Sequence, residues 1–225
     1  MHPLRLLLAC FLALAVLSSG SAARAGERYY VLFFGSQSEP YRPKYTHTWV
    51  ALVKATGEGD DHSKYQLEVS TISWLPATGT VRPLNPVPER GANFDLYTTI
   101  NLVLKHSEEI LQWGPYEISE QLYGRAQEKV ALLMTGEIRY RAVDGFRRGS
   151  TISNCFHAIS DLDRLEGRRH YPLTRAGEDV TYDIVKTLEE RGGILGRGTD
   201  HSWIFRRLEL DQYPITHRRL RDGSP

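Results

Sequence analysis

The chain carries two cysteines, Cys10 and Cys155, among its 225 residues. Cys155 lies in Ser153-Asn154-Cys155-Phe156-His157, where Ser153 or Asn154 can cap a helix beginning at the cysteine. A thiol in the first turn of a helix meets the positive end of the helix dipole and unpaired backbone N–H groups. Both favour the thiolate. A thiol nucleophile also needs a base, which the fold rather than the sequence brings close. His47 is the first choice, because it falls mid-strand among apolar neighbours, where a buried imidazole must find a polar partner. His201 is the alternative base, with Asp211 or His217 to orient it. Such a pair would attack an amide or ester carbonyl. The competing reading makes Cys155 a small buried apolar side chain and the protein a noncatalytic binding or structural module.

Other chemistries find less in the sequence. Cys155 and His157 with His47 or His201 are zinc-ligand types, but no second close pair has ligand spacing, so no metal and no cofactor is expected. His157 reads as a helix-surface or packing residue. The acid pairs Glu108-Glu109 and Glu189-Glu190 are adjacent, not set across a cleft as glycosidases require. With 28 Lys and Arg against 27 Asp and Glu, the formal charge of +1 excludes a strongly basic nucleic-acid coat. The pairs Arg147-Arg148, Arg168-Arg169, Arg206-Arg207 and Arg218-Arg219 read as solvated surface.

The elements that must position these residues follow from periodicity. Arg28 to Phe34, Tyr45 to Lys54 and Lys64 to Leu75 read as strands. The second places His47, Trp49, Ala51 and Val53 on one face and Thr48, Val50 and Leu52 on the other. It is expected to pair antiparallel with the third through the polar turn at 57–63. Helices are expected over 94–105, capped by Asn93, and over 120–135, capped by Ser119. The second would bury Leu122, Tyr123, Ala126, Val130, Leu133 and Met134 and stop at Gly136. Others are expected from Cys155 onward and over 178–191. Short strands are expected at 110–113 and 138–143, and a last strand at 201–210. Trp49, Trp74, Trp113 and Trp203 fall at strand positions as core. The class is α+β, an antiparallel sheet packed against helices.

The order of a strand bearing His, Tyr45-Thr46-His47-Thr48-Trp49-Val50-Ala51-Leu52-Val53, then a helix opening on Asn154-Cys155-Phe156-His157, resembles the circularly permuted papain-like fold. NlpC-type cell-wall peptidases and amidases share that superfamily, and its permuted branch includes the lecithin:retinol acyltransferase-like proteins. The resemblance covers two short segments. It implies Cys155 as nucleophile, His47 as base, and a polar residue on the following strand to orient the imidazole. Glu68, Ser70, Thr71 and Ser73 are available there, and Ser73 is chosen, where the family usually carries His, Gln or an acid. The implied substrate is a peptide or acyl compound, cell-wall peptide among them. The unpermuted order would instead pair Cys155 with His201.

The N-terminus reads as an export signal: Arg5, an unbroken apolar run from Leu6 to Leu17, then Ala23-Arg24-Ala25 before Gly26. Cleavage there removes Arg5, Arg24 and Cys10. It leaves 26 basic against 27 acidic residues, a formal charge of −1, and Cys155 without an internal disulfide partner. No later apolar run is long enough to span a bilayer. The expectation is an exported protein, periplasmic or extracellular, with residues 1–25 as signal and 26–225 as one α+β domain with an irregular tail from about 211.

Overall fold

The structure, a computed structural model, describes residues 26–144, 151–163, 177–196 and 198–220. The expected signal segment and the pairs Arg147-Arg148 and Arg168-Arg169 lie outside the described residues.

Strand β1 (Gly26–Ser38) is the spine of the main sheet. It pairs antiparallel with β2 (Thr46–Gly57) on one side and β6 (Glu108–Ile118) on the other. Strand β3 (Gln66–Ile72) pairs antiparallel with β2, as the alternation and the turn required. Four very short strands, β4 (Trp74–Pro76), β5 (Glu89–Asn93), β7 (Arg139–Tyr140) and β8 (Ile152–Ser153), form a second sheet in the order β4-β5-β7-β8. The class is α+β.

Helices cover both faces of the main sheet, which is why β1 and β2 read as nearly continuous apolar runs. Val31, Phe33, Val50 and Leu52 pack beneath α2 (Glu120–Met134), α3 (Cys155–Ser160) and α4 (Glu178–Glu190). Tyr30, Leu32, Phe34, Trp49 and Ala51 pack beneath α1 (Leu96–Lys105) and α5 (Ser202–Arg207). The four tryptophans are buried, and the Trp49 ring stacks on Phe34 at 5.1 Å between centroids. Truncating a side chain such as Leu52 in this core would cost about 2–5 kcal/mol.

Two glycines admit close approaches. A Cβ on Gly35 would lie 2.7 Å from Thr181 Oγ1, so the start of α4 rests directly on β1. Gly114 has φ +88 inside β6, where β1 shifts register between Val31 and Phe33. This lets the strand run on through Pro115 to Ile118, past the short 110–113 strand expected.

Several expectations are corrected. The 201–210 segment is helical. Trp203, Ile204 and Phe205 are consecutive and all buried, which a strand facing one core cannot achieve, and Leu208 recurs one helical turn after Ile204. The region from 211 is not irregular throughout, since Ile215–Arg218 forms β10, parallel to β6. Beside it, β9 (Ile194–Leu195) pairs antiparallel with the far end of β6. The 138–143 strand shrinks to Arg139–Tyr140, because beyond it the carbonyl of Ala142 is taken by the Asn154 side chain. On α2, Met134 is exposed, while Leu122, Ala126 and Leu133 carry the buried stripe.

Candidate active site

His47 sits near the start of β2, 2 % exposed, with its ring over Trp49 at 5.3 Å. Its Nε2 lies 2.9 Å from Ser73 Oγ. Of the residues expected to orient the imidazole, only Ser73 reaches it. Glu68 is on the surface near Lys54, and Ser70 accepts from Gln127 Nε2 at 2.6 Å.

The position of Ser73 is set by Asn93. The sequence suggested Asn93 as a helix cap, but Asp95 performs that role by accepting from Thr98 N. The Asn93 side chain instead clasps the end of β3. Its Oδ1 accepts from Ser73 N at 2.8 Å and its Nδ2 donates to Thr71 O at 2.7 Å. Strand β3 is thereby turned out of the main sheet after Ile72, and Ser73 faces His47. Thr99 Oγ1 of α1 lies 2.8 Å from Ser73 Oγ, and its one proton goes to the Asp95 carbonyl at 2.7 Å, which leaves the Ser73 proton for Thr99 and a Ser73 lone pair to accept from the imidazole.

Cys155 is the first residue of α3 and is 4 % exposed. Asn154 caps the helix by accepting from His157 N at 2.9 Å. The backbone N–H groups of Thr48 and Phe156 pull the Cys155 thiol pKa down. Pairing of β3 with β2 begins at Val50↔Ile72. Cys155 packs on the Val50 and Leu52 face of β2, beside the edge that β3 has left. Thr48 is further tied to α4, its Oγ1 lying 2.9 Å from Thr181 Oγ1.

In this state both groups are neutral. Burial lowers His47 to about 3. Burial raises Cys155 to about 12, against the pull of the Thr48 and Phe156 N–H groups, with the nearby Asp144 carboxylate adding a smaller upward push. Thiol and imidazole share no hydrogen bond: Nε2 is held by Ser73, and Nδ1 is a buried atom without a partner.

A network absent from the sequence reading braces the cysteine. Asp144 accepts from His157 Nδ1 at 2.6 Å, from Asn154 N at 2.9 Å and from Asn154 Nδ2 at 3.2 Å. His157 is therefore buried and polar-bonded, not on the helix surface. Its place three residues after the capping Asn154 was the available signal. Asp144, in a short loop, gave none.

The alternative base is displaced. His201 precedes α5, its ring against Tyr30 at 4.9 Å and its Nε2 3.9 Å from Glu117 Oε2. Tyr30 is paired with Val53, five residues along β2 from Thr48, and at about 3.3 Å per residue that is roughly 17 Å. His201, Asp211 and His217 line a groove of about 620 Å³ on the β6 and β10 side of the sheet. Among the described residues no group of three or more His, Cys, Asp or Glu side chains could hold a metal, and no helix is long and apolar enough to cross a membrane.

The chain matches no protein-family model, no curated protein and no solved structure.

Proposed function

We propose that this is an exported cysteine hydrolase or acyltransferase of papain-like, permuted arrangement. Cys155 is its nucleophile, His47 its base and Ser73 the residue that orients the imidazole. One observation carries the reading. Ser73 takes Nε2 of His47 and leaves Nδ1 a buried atom without a partner, while Cys155 opens a helix packed against the same strand. His47 faces α1 and Cys155 lies on the opposite side of the same strand, so the proposed transfer brings the thiol to His47 Nδ1 around the edge that β3 leaves after Ile72. The export signal in residues 1–25 supplies the compartment.

In the proposed reaction the Sγ–H bond of Cys155 breaks and its proton passes to His47 Nδ1. The sulfur attacks the carbonyl carbon of an amide or ester. The C–N or C–O bond then breaks, and the imidazolium returns the proton to the leaving group. Water or a second acceptor takes the acyl group from the thioester. Ser73 Oγ accepts from Nε2–H while the ring is charged. The N–H groups of Thr48 and Phe156 favour the thiolate once it forms. The buried state holds the thiol protonated, so attack follows local opening around the start of α3.

The second reading is the noncatalytic module, favoured by the burial of Cys155 and its upward-shifted thiol. Incubation with p-nitrophenyl acetate followed by peptide mass spectrometry separates the two. The proposal expects an acetyl thioester on Cys155 and nitrophenolate release that Cys155→Ala abolishes. Nitrophenolate release equal in the two proteins, with Cys155 unmodified, would assign Cys155 to packing.

A further inference from the structure

Two strands from His47, on the same face of the sheet, lies a buried carboxylic acid that the reaction above does not use. Ser36 of β1 is directly opposite His47 of β2 in the strand register, so both side chains leave the same face. Directly opposed residues on antiparallel strands have Cβ atoms about 4.5–5.5 Å apart. Ser36 Oγ donates to Glu108 Oε2 at 2.6 Å. Glu108 begins β6 opposite Ser38, on that same face. A carboxyl, a hydroxyl and an imidazole thus form a row across three adjacent strands, and it continues through Ser73 to Thr99. Ser36 is fully buried and Glu108 nearly so.

We propose that Glu108, acting through Ser36, is a positioning residue that supplies the negative charge stabilising the His47 imidazolium when Cys155 gives up its proton. The inference rests on the cysteine-hydrolase reading above. It supplies what Ser73 lacks. Ser73 is neutral, and it can accept a hydrogen bond from the charged ring but cannot offset the charge in a dry site, where unpaired ions are costly. Opposite charges in a protein interior couple far more strongly than across water. No covalent bond to Glu108 forms or breaks. The proton moves from Cys155 Sγ to His47 Nδ1 and then to the leaving group, while the carboxylate stays ionised.

The groups that face Glu108 are few. Ser36 and Ser38 come from β1. From the end of α1, His106 places its Nδ1 3.7 Å from Oε1. Tyr45 packs on the His106 ring at 5.3 Å, and Lys44 Nζ lies 4.6 Å from the Tyr45 ring. Around His47 the contacts are Ser73 and Trp49, both uncharged. Burial pushes Glu108 up to about 7, with the Ser36 hydrogen bond pulling the other way. The carboxyl therefore changes charge in the range where such a reaction is measured.

The test is the pH profile of Cys155 acetylation by p-nitrophenyl acetate from pH 5 to 9, in the full mature chain, its Glu108→Gln and Ser36→Ala variants, and His47→Ala. Wild type should show a rise with a midpoint near 7. Both Glu108→Gln and Ser36→Ala should lose that rise, about tenfold slower than wild type at pH 8.5 and equal to it at pH 5.5, where Glu108 carries no charge in any case. A residue that only braces the fold would slow the reaction by the same factor at every pH. Profiles of Glu108→Gln or Ser36→Ala that superpose on wild type, or that are lowered evenly, overturn the role of Glu108. If His47→Ala remains impaired in that result, the dyad itself stands. Failure of wild-type Cys155 to acetylate overturns the dyad and this inference together.

Discussion

Ser73 Oγ meets His47 Nε2 at 2.9 Å across the point where β3 leaves β2. The contact depends on a break in the sheet, because β3 leaves its ladder with β2 after Ile72 and the next residue turns to the imidazole. The departure of one strand thus sets both the end of the ladder and the partner of the imidazole.

Asn93 makes that break, so Asn93→Ala should act on both. Two hydrogen bonds to the backbone of Thr71 and Ser73 are lost, at about 1 kcal/mol net each and more where a buried group is left unpaired. Urea denaturation should show a loss of about 2–3 kcal/mol, and acetylation of Cys155 should slow although Asn93 touches neither reacting residue. Unchanged stability would show that β3 turns out of the sheet without this clasp.

Stability should vary with pH in a way that isolates Glu108. Its folded pKa, raised to about 7 against an ordinary 4.5, contributes stability that is fully present below 4.5 and lost as pH rises to about 7. His47 has the opposite sign: lowered to about 3 against 6.5, it contributes stability present above 6.5 and lost as pH falls. Between about pH 4.5 and 6.5 the two slopes oppose. Glu108→Gln keeps only the His47 slope, so its stability should climb across that window. At pH 8 it should exceed wild type by about 3–3.5 kcal/mol, at about 1.4 kcal/mol per pKa unit. Chemical denaturation at pH 4.5, 6.5 and 8 checks this, and parallel curves for the two proteins would contradict it.

Asp144→Ala should be among the most damaging polar substitutions. The carboxylate accepts three hydrogen bonds from Asn154 and His157 in a buried setting, and its loss should cost roughly 3–5 kcal/mol. Asp144→Asn keeps part of the acceptor set and should cost less. Equal losses for the two would mean that the site needs the charge rather than the geometry.

His201→Ala should leave acetylation of Cys155 unchanged, because His201 lies on Tyr30 at the other end of β2. A large fall in rate would restore the unpermuted pairing.

Export is tested by sequencing the N-terminus of the secreted protein, which should begin at Gly26. A mature chain beginning at Met1 would remove the signal reading.

The sequence disclosed the parts of this arrangement that local periodicity controls. The alternation of Thr46 to Val53, the antiparallel partner beyond the polar turn, the Ser119 cap and the Asn154 cap are all as read. It misread 201–210 because a short apolar run, Trp203 to Phe205, fits a strand or a buried helix equally well. It missed Asn93 as a clasp because an Asn before an amphipathic helix looks like a cap. Ser36, Glu108 and Asp144 were invisible as site residues, since each gains its role only from a neighbour far along the chain, 72 residues away in the Ser36–Glu108 pair.

The central claim is that His47 is the base for Cys155, and the most direct measurement is the initial rate of Cys155 acetylation by p-nitrophenyl acetate in wild type and His47→Ala at pH 8. A positioned general base contributes roughly 10²–10⁴-fold, so the variant should be slower by at least about a hundredfold, with the acetyl group still found on Cys155 in the residual reaction. Equal rates in the two proteins would contradict the account.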